Sequence, residues 1–189
     1  MTLYTALHTL TLLTAPFLPF MTEMIATLGF DYLWIDTEHT AIDYQMLQTH
    51  LMAARAGGTP AVVRVPWNDA VLAKRVLEMG PEGIIFPMVN SPEEAKRAMD
   101  ACLYPPRGTR GFGPLRAVNY FAEDAQGYID TNVDNLCRFV QVEHIDAVRN
   151  LSQTAKNPYI DGFILGPCDL SGSIGELNRF FEANTDKLI

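Results

Sequence analysis

Asp36, His39, Arg64, Glu143 and Asp169 are the residues whose types and spacing could do chemistry together. Glu143 and Asp169 are carboxylates, and paired carboxylates completed by water and substrate oxygens are a common coordination set for Mg²⁺ or Mn²⁺. Left close together without a cation they repel, and one of them keeps a proton. Arg64 could clasp a substrate carboxylate through two parallel hydrogen bonds. A cation and an arginine together suit a 2-oxo acid, because the cation chelates carboxylate and keto oxygen while the arginine steadies the charge. Positive charge at a keto oxygen stabilises an enolate. A base must then move protons, and histidine is the side chain suited to that near neutral pH; His39 is placed for it. Lys74 and Lys96 fall within helical stretches, so a Schiff-base mechanism is disfavoured.

The elements that must position these groups alternate short apolar runs with amphipathic helical runs, the βαβα pattern of a parallel sheet covered by helices. Strands are expected over 32–36, 61–65, 83–87, 136–143 and 162–165, and helices over 22–28, 44–56, 70–79, 92–102, 123–132 and 146–155. Gly29, Gly57-Gly58 and Gly80-Pro81 supply stops, and Pro92 sits in a first turn. Residues 104–117 hold three Pro, three Gly and three Arg, which predicts a long loop with at most a very short strand near Thr109. Long ordered loops are usually functional. Ligands of such sheets sit beyond the C-terminal strand ends. Those ends deliver Asp36-Thr37-Glu38-His39, then Arg64, Pro87-Met88, Gln141-Val142-Glu143-His144 and Gly166-Pro167-Cys168-Asp169, so polar groups converge on one rim.

Each residue also has a plain structural reading. Asp36 and His39 could form a turn or cap, and Arg64 a surface ion pair. Glu143 could open the next helix and Asp169 could be an N-cap. Glu78, late in a helix, reads as a solvated face, and His50 and His144 as structural or solvated. Cys168 reads as a small, partly buried thiol. Their joint placement, rather than any one of them, argues for a site.

Composition narrows the partners. The 189-residue chain carries a net charge of -8 and is 48% hydrophobic, enough for one domain spanning 1–189 with a real core. That acidity argues against nucleic acid and anionic lipid as partners. Cys102, Cys137 and Cys168 are odd in number and in no CxxC pair, which fits free thiols in the cytoplasm better than a disulfide framework. Residues 1–22 lack Lys, Arg, Asp and Glu, but Pro16, Pro19, His8 and repeated Thr break them. They read as an irregular first strand and loop rather than a signal or membrane segment.

Six segments, GFDYLWIDTEHTAIDY, PAVVRVPWND, IIFPMV, YPPRGTRGFGP, VQVEH and GFILGPCDLSGSIG, run in order from Gly29 to Gly175 and resemble the HpcH/HpaI aldolases. The resemblance implies a (β/α)8 TIM-type barrel of the phosphoenolpyruvate/pyruvate-binding type, here lacking the last strand and C-terminal helices, since a full barrel takes about 250 residues. It implies a homo-oligomer, hexamer or trimer, and cleavage of a 4-hydroxy-2-oxo acid to pyruvate and an aldehyde in aromatic or sugar-acid catabolism. The implied cofactor is a divalent metal, Mg²⁺ or Mn²⁺, with Co²⁺ or Zn²⁺ as alternatives.

By motif, His39 resembles the base and Arg64 the residue that steadies enolate charge. Glu78 stands where the family has an acid that raises the basicity of the histidine, and Asp36 supports the histidine cluster. Glu143 and Asp169 resemble the metal ligands. Gln141, Gly166, Pro167 and Cys168 resemble substrate contacts, Cys168 replacing a small residue. The loop with Arg107, Arg110 and Arg116 is expected to read the aldehyde. Two other readings stand beside this one: a shortened, inactive relative that binds 2-oxo acids or serves assembly, and a citrate-lyase-like enzyme acting on a CoA thioester. The second needs a basic groove, which 14 Lys and Arg make less attractive.

Overall fold

The computed structural model describes residues 19–179 and 183–189; of the irregular strand and loop expected over 1–22, residues 1–18 lie outside the described residues, and 19–22 are helical instead. A first helix, α1 (Pro19–Ala26), leads into β1 (Leu33–Asp36). There follow α2 (Tyr44–Gly57), β2 (Ala61–Arg64), α3 (Ala70–Leu77), β3 (Gly83–Phe86) and α4 (Pro92–Cys102). After the long loop and a 3₁₀ turn at Asn119–Phe121 come α5 (Ala125–Asn135), β4 (Cys137–Val142), α6 (Ile145–Thr154), β5 (Gly162–Leu165), α7 (Pro167–Ser173) and α8 (Ala183–Asp186).

Among the described residues the strands form one five-stranded sheet in the order β1-β2-β3-β4-β5, with every neighbouring pair parallel. This is an open sector of a β/α barrel. Parallel pairing needs a crossover, and the expected helices supply it. Their ends are set by side chains. Asp43 accepts from Met46 N at 2.8 Å, Asp69 from Val71 N at 2.8 Å, and Ser91 from Glu94 N at 3.2 Å just before Pro92. Gly58 closes α2 at φ 78°, a left-handed position that favours glycine.

Side chains alternate along a strand, so each strand serves two faces. Leu33, Ile35, Val63, Val65, Ile84, Phe86 and Val140 join the apolar layer with Leu47, Leu51, Val76, Leu77 and Met99 of the helices. The opposite positions, Trp34, Asp36, Arg64 and Gln141, face the barrel interior. The register puts Asp36 beside Arg64, Phe86 beside Val140, and Val142 beside Leu165, which brings the polar strand ends to one rim. β5 differs from its neighbours: Phe163 and Leu165 remain 39% and 40% exposed at the sheet edge.

No strand forms near Thr109. Thr109 N instead donates to Asp100 O at 2.7 Å and Arg110 N to Leu103 O at 2.9 Å, folding the loop back on the end of α4. The Arg110 side chain is wholly buried over the rings of Tyr104 and Tyr128 at 4.6 and 5.6 Å and donates to Leu77 O at 3.2 Å. It anchors the loop, and the expectation that it reads an aldehyde is corrected: a cation stacked between two aromatic rings has no face left for a ligand.

Candidate active site

Arg64 is the hub of the rim. Its Nε and Nη2 donate to the two oxygens of Asp36 at 2.8 and 2.6 Å, a fork-to-fork pair across β1 and β2. Its Nη1 lies 3.0 Å from Glu38 Oε2 and donates to Gln141 Oε1 at 3.2 Å. The guanidinium also sits 5.4 Å from the centroid of the Trp34 ring. Burial works against the charge of both partners, yet the pairing wins: the Asp36 carboxyl is held below its ordinary pKa and Arg64 above its own. Arg64 is therefore no surface ion pair. Asp36 does serve a turn as well, accepting from Glu38 N at 3.0 Å.

Glu143 is 2% exposed. Its Oε1 accepts from Met88 N at 2.6 Å and its Oε2 from Gln141 Nε2 at 2.8 Å. Gln141 and Glu143, two residues apart, lean to the same side of the chain and link Arg64 to Glu143. Met88 delivers its amide from a left-handed backbone at φ 52°, an uncommon state for a side-chain-bearing residue. Burial raises the Glu143 pKa to about 7, repulsion from Glu38 and Asp169 adds to the rise, and the Met88 amide and Arg64 oppose it. His144, not Glu143, caps the next helix, accepting from Asp146 N at 3.1 Å.

Asp169 lies inside α7, whose N-cap is Gly166, so it is not an N-cap. It shares a pocket of about 560 Å³ with Glu143, Arg64, His39, Gln141 and Trp34, walled on one side by Gly166, Pro167 and Cys168. A Cβ on Gly166 would stand 2.6 Å from Glu143 Oε2, so that wall needs a glycine. Cys168 is exposed rather than partly buried, because it sits at the start of α7 on the open side of the sheet. Cys102, Cys137 and Cys168 are all free thiols. His50 is structural, with its Nδ1 2.9 Å from Thr22 Oγ1.

The structure brings together every expected site residue except Glu78. Glu78 ends α3 facing Arg110 at 3.7 Å and lines a separate pocket of about 520 Å³ with Lys74, Gly113 and Arg116. Within this chain it does not meet His39. Glu38, which the sequence reading left without a role, does: its Oε2 is 3.7 Å from His39 Nε2. Burial raises the Glu38 pKa, with Arg64 and His39 opposing.

The donor chemistry fits a hard divalent cation. Two carboxylates of different elements face one pocket, and a cation there would offset the burial and, to a lesser degree, the repulsion from Glu38 and Asp169 that raise the Glu143 pKa. Among the described residues no group of three or more His, Cys, Asp and Glu side chains is placed to hold a metal, so Glu143 and Asp169 would need oxygens from water or substrate to complete a shell.

Parallel strands with crossover helices, and a rim of carboxylate, arginine and histidine side chains, define a β/α-barrel protein. Residues 12–183 match the model of the family described as HpcH/HpaI aldolase/citrate lyase. The chain belongs to that family. It is 38% identical over 153 residues to a 4-hydroxy-2-oxo-heptane-1,7-dioate aldolase of Shigella sonnei, covering 81% of this chain and 58% of the relative. It is 36% identical over 172 residues to a hydroxypyruvate/pyruvate aldolase of Roseovarius nubinhibens, covering 90% of this chain and 66% of that protein. The crystal structure of a family member from Burkholderia cenocepacia superposes with a TM-score of 0.83 at 30% identity, covering 90% of this chain and 68% of the other. The chain thus spans 58% to 66% of the length of these curated relatives.

Proposed function

We infer that this chain is a divalent-metal-dependent aldolase that interconverts a 4-hydroxy-2-oxo acid with pyruvate and an aldehyde. The observation that carries the reading is the shared pocket, in which the Arg64–Gln141–Glu143 chain of hydrogen bonds faces Asp169. Glu143 and Asp169 would hold Mg²⁺ or Mn²⁺, which would supply positive charge to a keto oxygen of the substrate. Arg64, whose Nε–Nη2 fork is taken by Asp36, lends positive charge to the substrate rather than a two-bond clasp of its carboxylate. Gln141 keeps Arg64 and Glu143 in register. Gly166, Pro167 and Cys168 present the wall against which the 2-oxo acid lies. His39 takes the 4-hydroxyl proton as the C3–C4 bond breaks and returns a proton to the enolate carbon. The names of the relatives, a heptanedioate aldolase and a hydroxypyruvate/pyruvate aldolase, support this substrate class.

The protein acts in the cytoplasm as a homo-oligomer in sugar-acid or aromatic catabolism; free thiols support the compartment. Among the described residues no helix is long and apolar enough to cross a membrane. The second reading is a binding or assembly protein without turnover. Pyruvate release from 4-hydroxy-2-oxo acids, measured with Mn²⁺ or Mg²⁺ and after chelation, separates the two. The aldolase reading expects metal-dependent release that His39→Ala and Glu143→Ala each cripple. Unaltered release in both variants rejects these roles.

A further inference from the structure

We propose that Glu38 is the positioning residue of His39: its Oε2 takes the imidazole Nε2–H and leaves Nδ1 as the basic nitrogen. The kinetic consequence rests on the aldolase reading; the hydrogen bond itself does not.

The imidazole has little packing of its own. Its side chain is 63% exposed, and Glu38 Oε2 lies 3.7 Å from Nε2. The main chain beneath it is held, because the Asp36 carboxylate accepts from Glu38 N at 3.0 Å. Only the ring is free to turn. Glu38, in contrast, is held. Its side chain is 13% exposed, and Oε2 stands 3.0 Å from Arg64 Nη1, while Arg64 is locked to Asp36. That same Oε2 is buried and accepts no well-aligned hydrogen bond among the described residues. Its one close donor, Arg64 Nη1, is turned to Gln141, so this buried oxygen favours a further donor that can reach it. A small turn of the imidazole brings Nε2–H into bonding range, and the gain falls on both groups.

The consequence is a choice of atom. Imidazole presents one donor and one acceptor when neutral, and the bond made by one nitrogen fixes the task of the other. With Nε2–H committed to Glu38, the lone pair sits on Nδ1, in a residue that lines the substrate pocket. Once Nδ1 has taken the proton, the carboxylate also steadies the imidazolium. A single oxygen thereby ties the base to the arginine of the substrate pocket, so the two arrive in one geometry.

Glu38→Ala removes the acceptor, and Glu38→Gln restores an acceptor of equal reach without charge. Partners that orient a histidine typically contribute about 10- to 100-fold in activity. Glu38→Ala is expected to lower kcat by about that factor with KM for the 2-oxo acid within about two-fold, because Asp36 and Gln141 still hold Arg64. Glu38→Gln is expected to recover a large part of the loss. Proton–nitrogen correlation spectra of histidine-labelled protein give a readout without turnover. The His39 Nε2–H signal, assigned by its loss in His39→Asn, is expected in the wild type and in Glu38→Gln but absent in Glu38→Ala. A raised KM with unchanged kcat would make Glu38 a partner of Arg64 alone and overturn the proposal. So would a wild-type spectrum with no protected Nε2–H, a result that stands whether or not the variants fold or any aldolase activity is found.

Discussion

The two walls of the pocket are built differently. On the β1–β4 side, Arg64, Asp36, Gln141 and Glu143 are buried or nearly so, and each is tied to the next by a hydrogen bond of 2.6 to 3.2 Å. On the β5–α7 side, Asp169 and Cys168 are exposed and Leu165 is 40% exposed. Glu143 is therefore fixed before any ligand arrives, whereas Asp169 is exposed. Preorganisation and exposure divide the site along the line between β4 and β5.

The largest test of that division is Arg64→Ala. It strands Asp36 as a buried, uncompensated carboxylate beside the partly buried Glu38, and breaking such a pair typically costs about 3–5 kcal/mol. A fall of that size in urea-unfolding free energy is expected, together with loss of turnover; a stability loss near zero would show that the β1–β4 wall is not a locked unit.

A pH effect of similar size is expected from Glu143 in protein stripped of divalent cations. Its folded pKa of about 7 lies above the ordinary 4.5, so the folded state holds the proton more tightly than the unfolded chain. The stabilisation is complete below about pH 4.5 and is lost as pH rises through 7, a span that corresponds to about 3 kcal/mol. Asp36 acts in the opposite sense, since its folded pKa is depressed, but its contribution is lost only in acid, below the ordinary 3.8. Between pH 5 and 8 in a chelator, the urea midpoint should fall, and Glu143→Gln should flatten that fall. Equal slopes in both proteins would place Glu143 in a wetter setting than its burial implies.

Gly166→Ala probes the seam between the walls. The added Cβ would stand 2.6 Å from Glu143 Oε2, and overpacking of this kind costs about 1–3 kcal/mol. Thermal unfolding reads the loss, and a variant as stable as the parent would mean that α7 swings away freely. The smallest structural effect belongs to Asp169→Asn. Removing an exposed charge is expected to change stability by less than about 0.5 kcal/mol while it weakens Mn²⁺ binding in calorimetry. A large stability loss there would erase the contrast between the walls.

Much of this was legible in the sequence. Short apolar runs marked the strands within a residue or two, and reading what each strand delivers at its end found Asp36, Arg64, Gln141, Glu143 and Asp169 together. The missing parts depend on geometry that spacing does not carry. Glu38 stood next to His39 in the chain, but its meeting with Arg64 comes from a turn wrapped over Asp36. Met88 serves Glu143 through its backbone amide, so its side-chain type signalled nothing. Arg110 looked like a loop cation because its ring partners, Tyr104 and Tyr128, flank it from separate segments. Glu78 carried a role by motif position alone, and the fold of this chain turns it toward Arg110.

The pairing of Asp36 with Arg64 across β1 and β2 also guards the folding of the sheet. Were β2 to dock one residue out of step, alternation would swing the guanidinium into the layer filled by Val76, Leu77 and Leu47, and Val63 or Val65 into the polar rim. An ion stranded among aliphatic side chains is penalised far more than a misplaced valine. The charge that equips the pocket thus doubles as a proofreader of strand alignment, rejecting misassembled sheets before any ligand is met.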